Sequence, residues 1–231
     1  MFVIACKFNH SFPFIFELID GIRVFHPDEK IVVVDSDSED KSYLGILREK
    51  HGVIAEDVAN KNWMIGAYWY AYKKYPHEDF YYFMHDSMKV KANLDYLREK
   101  DLTLLMTFER GIGGYNGWAE AINNETDYDY TKSGQGCYGP IFFCKNKVMK
   151  KMLDMGADKF MPVTKQDSHY GERAYGVFLE AQGYDLLKCS LYGDVLEEEK
   201  PTGRSGVYPF STSWQYPVEK LYASHADKKR L

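Results

Sequence analysis

Residues 79–90 read DFYYFMHDSMKV, and five consecutive apolar or aromatic residues run directly into His85, Asp86 and Ser87. An unbroken apolar run predicts a strand covered on both faces, because a strand with one wet face would alternate apolar and polar residues. In open α/β sheets, ligands bind outside the carboxyl ends of such strands. We therefore expect a ligand site at His85-Asp86-Ser87.

A second apolar run, in KIVVVDSDSED at 30–40, also ends on carboxylates, Asp35 and Asp37. Strand-like and helix-like patterns alternate around these two runs, which indicates an α/β fold with a doubly wound, mostly parallel sheet. We expect Ser11 to cap the first helix and Pro76 to stop the third. Strands are expected at 2–8, 30–40, 52–58, 79–90, 101–109 and 137–146, and helices at 11–25, 40–50, 60–76, 91–100, 148–156 and 172–184.

Composition narrows the class of protein. The 231 residues are 45% hydrophobic, which suits a single domain with one sizeable core. The net charge of -5, without a basic stripe between aromatic residues, disfavours nucleic acid as a partner. Four cysteines without C-x-x-C spacing predict reduced thiols in a cytoplasmic protein. Neither a signal peptide nor a run of ~18 apolar residues is found, so we expect no membrane span.

The order of these motifs resembles the nucleotide-sugar glycosyltransferases of the GT-A fold. In that family the second strand often ends in a segment like VVVDDGSTD, to which IVVVDSDSED is similar, and a later strand ends in an Asp-x-Asp motif, whose place FMHDSM takes. The resemblance covers most of residues 1–185. It implies a GT-A-like domain with a nucleotide-sugar-binding half at 1–110, an irregular acceptor half at 111–196 and a mobile segment at 197–231.

The resemblance also implies a hexosyl- or pentosyltransferase with a divalent cation, Mn²⁺ or Mg²⁺. A cation held by carboxylates neutralises the charge that develops on a leaving nucleoside diphosphate. Here His85 stands where the family has its first Asp, so Asp86 with His85 or Ser87 is the expected metal site. The alternative is that His85 donates to a backbone carbonyl and Asp86 caps the following turn. His225 in the C-terminal SHADKKR is a further candidate ligand, unless that terminus is frayed.

The nucleotide is expected at the ends of the first two strands. Asp35 is the candidate for contacting the base or ribose and Asp37 for assisting it, although an Asx turn would also explain Asp37. Topology places further side chains in the same crevice, and the resemblance adds an Asn from the following helix and basic residues of the C-terminus for the diphosphate. These candidates are Cys6, Lys7, Asn9 and Asn62 for the nucleotide and Lys228, Lys229 and Arg230 for the diphosphate.

The acceptor side carries a weaker pattern. In KQDSHYGERAYG at 165–176, Glu172-Arg173 falls where many GT-A enzymes have a Glu-Asp pair, and arginine does not accept a proton at neutral pH. Asp167 is then the candidate base of an inverting reaction, and Glu172 a candidate for binding acceptor hydroxyls. Acids at a helix N-terminus are also favoured by the helix dipole alone. Trp118 and Tyr138 are candidates for stacking on a sugar, although a core position is the commoner fate of such rings.

Two other readings remain open. A haloacid dehalogenase-like phosphatase would use Asp35 as nucleophile, Asp37 as acid/base and Asp194 as a magnesium ligand, with Thr107 ending another strand. That family's Asp-x-Asp-Gly-Thr is broken here, because Ser38-Glu39 follows Asp37. A catalytically inactive carbohydrate-binding domain with a GT-A shell is the third reading, because the His-Asp-Ser motif is imperfect.

Overall fold

The computed structural model describes residues 1–11, 13–109, 122, 129, 135–193 and 217–220. Its strands are β1 (Phe2–Cys6), β2 (Ile31–Asp35), β3 (Ile54–Glu56), β4 (Phe80–His85), β5 (Met88–Val90), β6 (Leu102–Leu104), β7 (Thr107–Glu109), β8 (Gln135–Cys137), β9 (Phe142–Lys145) and β10 (Val218–Lys220). Its α-helices are α1 (Phe14–Phe25), α2 (Ser42–His51), α3 (Trp63–Lys74), α4 (Asn146–Asp154), α5 (Lys165–Glu180) and α6 (Leu186–Cys189), with 3₁₀ turns at Asp95–Glu99 and Ala157–Lys159. Among these residues, no helix combines the length and the apolar character needed to cross a membrane.

Six strands form the central sheet in the order β3-β2-β1-β4-β9-β6. The pairs of β1 with β2, β1 with β4 and β2 with β3 are parallel, whereas β9 runs antiparallel to both of its neighbours. Strands β2 and β3 lie on one side of β1, and the chain then crosses to the other side of β1, where β4 lies. The predicted α/β class with a mostly parallel sheet is confirmed, and the crossing creates a topological switch point between β1 and β4.

Helices cover both faces of this sheet, which explains the unbroken apolar runs. The side chains of Phe2, Ile4 and Cys6 enter a core with helices α1 and α2. Val3 and Ala5 enter the opposite core, with helices α3, α4 and α5. Because successive side chains of a strand point to opposite faces, every residue of β1 is buried, and so are residues 80–84 of β4. The doubly wound arrangement is therefore confirmed.

Three predicted strands are each divided in two. Within 79–90, β4 joins the central sheet, whereas β5 pairs with β10 in a two-stranded sheet. Within 101–109, β6 joins the central sheet, but β7 pairs with β8 in a separate two-stranded sheet. Within 137–146, a turn containing Gly139 at φ +59° separates β8 from β9. A positive φ is a turn conformation rather than a strand conformation, so residues 137–146 do not form one strand.

The predicted helix boundaries also need correction. Helix α1 begins after Pro13, and the N–H of Ser11 instead bonds Oδ1 of Asn9 at 2.9 Å, so Ser11 is not its cap. The helix predicted from residue 172 begins at Lys165, because Thr164 and Asp167 form a capping box there. The helix predicted near 91–100 is a 3₁₀ turn at Asp95–Glu99.

The C-terminal segment at 197–231 contributes a short strand. Residues 218–220 form β10, which pairs antiparallel with β5 in the register Val218 to Val90 and Lys220 to Met88. The side chain of Val218 is fully buried. The hydroxyl of Tyr192 accepts from the N–H of Val218 at 3.2 Å and donates to its carbonyl oxygen. The chain thus returns directly beside the strand that follows Asp86-Ser87.

Candidate functional site

Three strand ends place candidate residues side by side. Cys6, the last residue of β1, is in register with Asp35, the last residue of β2. On the other side, Ala5 pairs with His85 and accepts a hydrogen bond from the N–H of Asp86 at 3.0 Å. Cys6 therefore lies between the two carboxylates, and adjacent-strand spacing puts their backbones about 10 Å apart. Asp35 and Asp86 thus flank the switch point at the carboxyl edge of the sheet, where the ligand crevice is expected.

Asp86 is fixed by the loop that follows β1. Its Oδ2 accepts a hydrogen bond from the backbone N–H of Lys7 at 3.0 Å. Burial, followed by the nearby charge of Asp86, raises the pKa of the Cys6 thiol well above its ordinary value. The thiol is therefore protonated at neutral pH, and Asp86 beside it is half-buried.

Asp35 has a different environment from the one expected for contact with a base. The residue is fully buried, and its carboxylate accepts from the Tyr43 hydroxyl at 2.8 Å and from the N–H of Ser38 at 3.1 Å. The Ser38 hydroxyl in turn accepts from the N–H of Phe8 at 2.8 Å. Asp35 thus organises the loops after β1 and β2. Asp37, exposed at φ +60°, is the carboxylate of this pair that faces solvent.

His85 and Tyr138 are brought together through the β8–β9 turn. A Cβ built on Gly139 would lie 3.3 Å from Cε1 of His85, so the turn rests against the imidazole. The N–H of Tyr138 bonds the carbonyl of Met106 at 3.2 Å, and its ring meets Phe108 edge-on at 6.2 Å between centroids. The predicted acceptor residue Tyr138 therefore lies in the same turn that contacts the His-Asp-Ser motif.

The predicted metal site is incomplete within the described part of the chain. No group of three or more His, Cys, Asp or Glu side chains suited to a metal ion occurs there. Adjacent His85 and Asp86 offer one imidazole and one carboxylate, with the Ser87 hydroxyl next to them. Mg²⁺ is often held by one or two carboxylates together with substrate phosphates and water, so this donor set suits a cation that arrives with its substrate.

The two candidates on α5 differ in position. Oδ2 of Asp167 accepts from the N–H groups of Val163 and Thr164 at 3.0 and 2.8 Å, and these bonds lower its pKa. A capping carboxylate of low pKa is a poor general base, so the capping alternative is favoured for Asp167. Glu172 lies one and a half turns further on, where its charge contributes, after burial, to the raised pKa of Cys137.

Arg173 and Asn62 have structural contacts. The guanidinium of Arg173 lies 5.2 Å from the centre of the Phe108 ring, so it packs against β7. Nδ2 of Asn62 donates to the carbonyl of Pro162 at 2.8 Å, which joins the start of α3 to the segment before α5. Asn9 is exposed in an Asx turn. The remaining candidates, Trp118, Asp194, His225, Lys228, Lys229 and Arg230, lie outside the described residues.

The geometry does not suit the phosphatase reading. Asp35 is inaccessible, and Thr107 belongs to β7 in the small β7–β8 sheet. Strand β6, which precedes Thr107, is at the far edge of the central sheet, separated from β2 by β1, β4 and β9. A nucleophile on β2 and a hydroxyl on β7 therefore do not meet at one phosphate.

Comparison with solved structures finds weak likenesses. TarS from S. aureus, residues 1–349 with UDP, is 15% identical over 75% of this chain and 54% of that chain, with a TM-score of 0.45. The same protein with UDP-GlcNAc gives a TM-score of 0.42 at 15% identity, over 75% and 53% of the two chains. The galactosyltransferase LgtC, with donor and acceptor sugar analogues, gives 0.36 at 12% identity, over 75% and 70%.

This chain spans about half the length of the first of these structures. No protein-family model and no curated protein sequence matches it. The roles of its residues therefore rest on its own geometry.

Sequence reasoning missed Tyr43, Ser38 and Asn60. Tyr43 supports Asp35, and Ser38 joins two loops of the crevice. Asn60 is buried and donates to the Ser36 hydroxyl at 3.1 Å. A capping or loop pattern does not signal such contacts, because each partner is distant in sequence or lies in another element.

Proposed function

We propose that this protein is a glycosyltransferase that moves a sugar from a nucleoside-diphosphate sugar to a hydroxyl of a glycan or another acceptor. The observation that carries the proposal is the position of Asp86 at the switch point of a doubly wound sheet, hydrogen-bonded to the loop after β1. Ligands of open α/β sheets bind at such points. The order of the acidic motifs, which resembles the GT-A glycosyltransferases, supports the same conclusion.

In this proposal the nucleotide lies against the loops after β1 and β2. Lys7, whose N–H bonds Asp86, is exposed, and so are Asn9 in the same loop and Asp37 two residues after Asp35. Asp35 contributes through its bonds to Tyr43 and Ser38, which fix the loop, rather than by touching the base. Asp37 is then the carboxylate proposed to contact the ribose or base.

The diphosphate is proposed to lie next to Asp86. A carboxylate beside a diphosphate requires positive charge between them, and Mn²⁺ or Mg²⁺ bound by Asp86 and His85 or Ser87 would neutralise the leaving group. The resemblance to the GT-A glycosyltransferases supports a role for the C-terminal residues, with His225 as a further metal ligand and Lys228 and Arg230 holding the diphosphate. Strand β10 pairs with β5, the strand that follows Ser87, with Lys220 opposite Met88.

The reaction breaks the bond between the anomeric carbon and the diphosphate oxygen, and its electron pair leaves with the diphosphate. The acceptor oxygen forms the new bond, and its proton passes to the released diphosphate or to water. Glu172 is proposed to hydrogen-bond the acceptor hydroxyl, and Tyr138 to border the acceptor from the turn beside His85. Trp118 is proposed to add a stacking surface for the sugar.

A donor panel tests this function. The protein is incubated with UDP- and GDP-linked hexoses and pentoses, with and without Mn²⁺ and a mixture of glycan acceptors, and released nucleoside diphosphate is measured. We expect release from at least one donor and its loss in Asp86→Asn. Saccharide binding without release from any donor would instead support the inactive carbohydrate-binding domain.

A further inference from the structure

Asn60, in the segment between β3 and α3, connects the crevice loop to the next helix. Its side chain is 7% exposed. Nδ2 donates to the hydroxyl of Ser36 at 3.1 Å and to the carbonyl of Trp63 at 2.7 Å. Oδ1 accepts from the N–H of Asn62 at 3.0 Å. One amide group thus joins the first residue after β2 to the first turn of α3.

The segment around Asn60 has an unusual backbone. Ala59 and Trp63 both have φ +49°, in the left-handed region that residues with a side chain rarely adopt. Such conformations persist where surrounding contacts impose them, and they concentrate at functional sites. The bond from Asn60 to the Trp63 carbonyl holds one of these two residues directly.

Gly66, in the first turn of α3, lies against the side chains of Asn60 and Asn62. A Cβ there would lie 2.2 Å from Oδ1 of Asn60 and 2.7 Å from Cβ of Asn62. A cavity of about 330 Å³ borders the same residues. Since open space and not packed core lies on that side, the order of the segment depends on its hydrogen bonds.

We propose that Asn60 is a positioning residue for the nucleotide site. By bonding Ser36 and Trp63 together, it holds the loop that carries Asp37 and the start of α3 as one unit at the crevice. This inference deepens the proposed function and rests on it for the identity of the ligand. The ordering of the loop by Asn60 is a separate claim that is measurable without a ligand.

The test compares Asn60→Ala with Asn146→Ala. Asn146 is a matched control, because its Nδ2 donates to the backbone carbonyls of Pro76 and Glu78 at 2.6 and 2.8 Å, at the opposite edge of the sheet. Asn60→Ala loses the three hydrogen bonds given above. Asn146→Ala loses four, the two to backbone carbonyls and those with the hydroxyls of Tyr72 and Tyr81, so both variants destabilise the fold. In a second pair, Gly66→Ala displaces Asn60 without removing it, and Gly45→Ala is the control, because a Cβ at Gly45 meets nothing within 4 Å.

Two readouts are taken on each variant. Hydrogen exchange of the amides of residues 36–40 should quicken at least tenfold in Asn60→Ala and Gly66→Ala and stay unchanged in the two controls. Dissociation constants for UDP, GDP, CDP and ADP, with Mn²⁺, should rise about tenfold in the same two variants, with the controls unaffected.

The outcomes separate the two claims. Unchanged hydrogen exchange at residues 36–40 in a folded Asn60→Ala protein would overturn the positioning role, whichever nucleotides the protein binds. Faster exchange supports that role even if the unaltered protein binds none of the four nucleotides, a result that would count against the glycosyltransferase function. Faster exchange with unchanged affinity for a nucleotide that does bind would overturn the link between Asn60 and binding. Equal weakening by Asn146→Ala would assign the effect to general stability.

Discussion

The backbone N–H of Lys7 donates to Oδ2 of Asp86 at 3.0 Å, which joins the loop after β1 to the end of β4 at the switch point of the sheet. The carboxylate is therefore placed by main-chain atoms, independently of the side chain at position 7. An asparagine at position 86 retains an oxygen acceptor for this bond but removes the charge.

Asp86→Asn should consequently remove transfer and preserve the fold. We expect released nucleoside diphosphate to fall at least about 100-fold, in the range seen when a group that stabilises developing charge is removed. The midpoint of urea unfolding should change little, because the hydrogen bond is at the edge of the crevice and has a net value of about 1 kcal/mol. Asp79→Asn, an exposed carboxylate just before the other end of β4, is the control and should remain active. A fully active Asp86→Asn would make the motif structural.

Asp35 is expected to matter for stability. In Asp35→Asn one of the two acceptor oxygens becomes an amide donor, which conflicts with either the Tyr43 hydroxyl or the N–H of Ser38. A buried polar conflict of this kind costs about 1–3 kcal/mol. Tyr43→Phe removes a single hydrogen bond and should cost about 1 kcal/mol in the same urea titration.

Asp35→Asn also tests the alternative that the protein is a phosphatase. Because Asp35 is enclosed, the unaltered protein should release no phosphate from a generic phosphate ester. Phosphate release that Asp35→Asn abolishes would contradict the role of Asp35 as a loop organiser.

Gly139 and Gly52 form a matched pair for the contact with His85. Both have φ +59°, but a Cβ at Gly139 lies 3.3 Å from Cε1 of His85, whereas a Cβ at Gly52 meets nothing within 4 Å. Each change to alanine should cost about 1–2 kcal/mol from backbone strain alone. Gly139→Ala should in addition lower transfer, measured as kcat/KM for the donor, and Gly52→Ala should not. Equal activity in the two would show that the turn does not position His85.

The capping box of α5 predicts a pH dependence. The folded pKa of Asp167 is lowered by the N–H groups of Val163 and Thr164. Its contribution to stability is therefore present above the unfolded value, about 3.9, and is lost as the pH falls through the folded pKa. The unfolding midpoints of the unaltered protein and Asp167→Asn should differ at neutral pH and converge in acid. A variant with unchanged stability but without transfer would favour the general-base role for Asp167.

The sequence predicted the elements that depend on local pattern. Unbroken apolar runs located β1, β2 and β4, because a strand buried on both faces has a distinctive composition. The polar residues after them lie at the carboxyl ends of these strands. The segment TKQD could also have revealed the capping box at Thr164, since its spacing fits that motif.

Features that depend on tertiary contacts were not predictable in this way. The division of 137–146 is a different case, because the pair Gly139-Pro140 is a turn signal that the strand prediction missed, and Gly139 has a positive φ. The burial of Asp35 depends on Tyr43, and Asn60 acts across 24 residues on Ser36. A sequence does not show whether an aspartate is exposed or enclosed, so the roles of Asp35 and Asp37 could be separated only by the structure.

The most direct test is the thermal stability of the unaltered protein with UDP, GDP and their sugar conjugates, with and without Mn²⁺. A nucleotide present at 100 times its dissociation constant stabilises the folded state by about 2.7 kcal/mol, or roughly 5–11 °C for a domain of this size. We predict such a shift for at least one nucleotide, larger with Mn²⁺, and loss of the Mn²⁺-dependent part in Asp86→Asn. No shift with any nucleotide, with or without the cation, would contradict the proposed function.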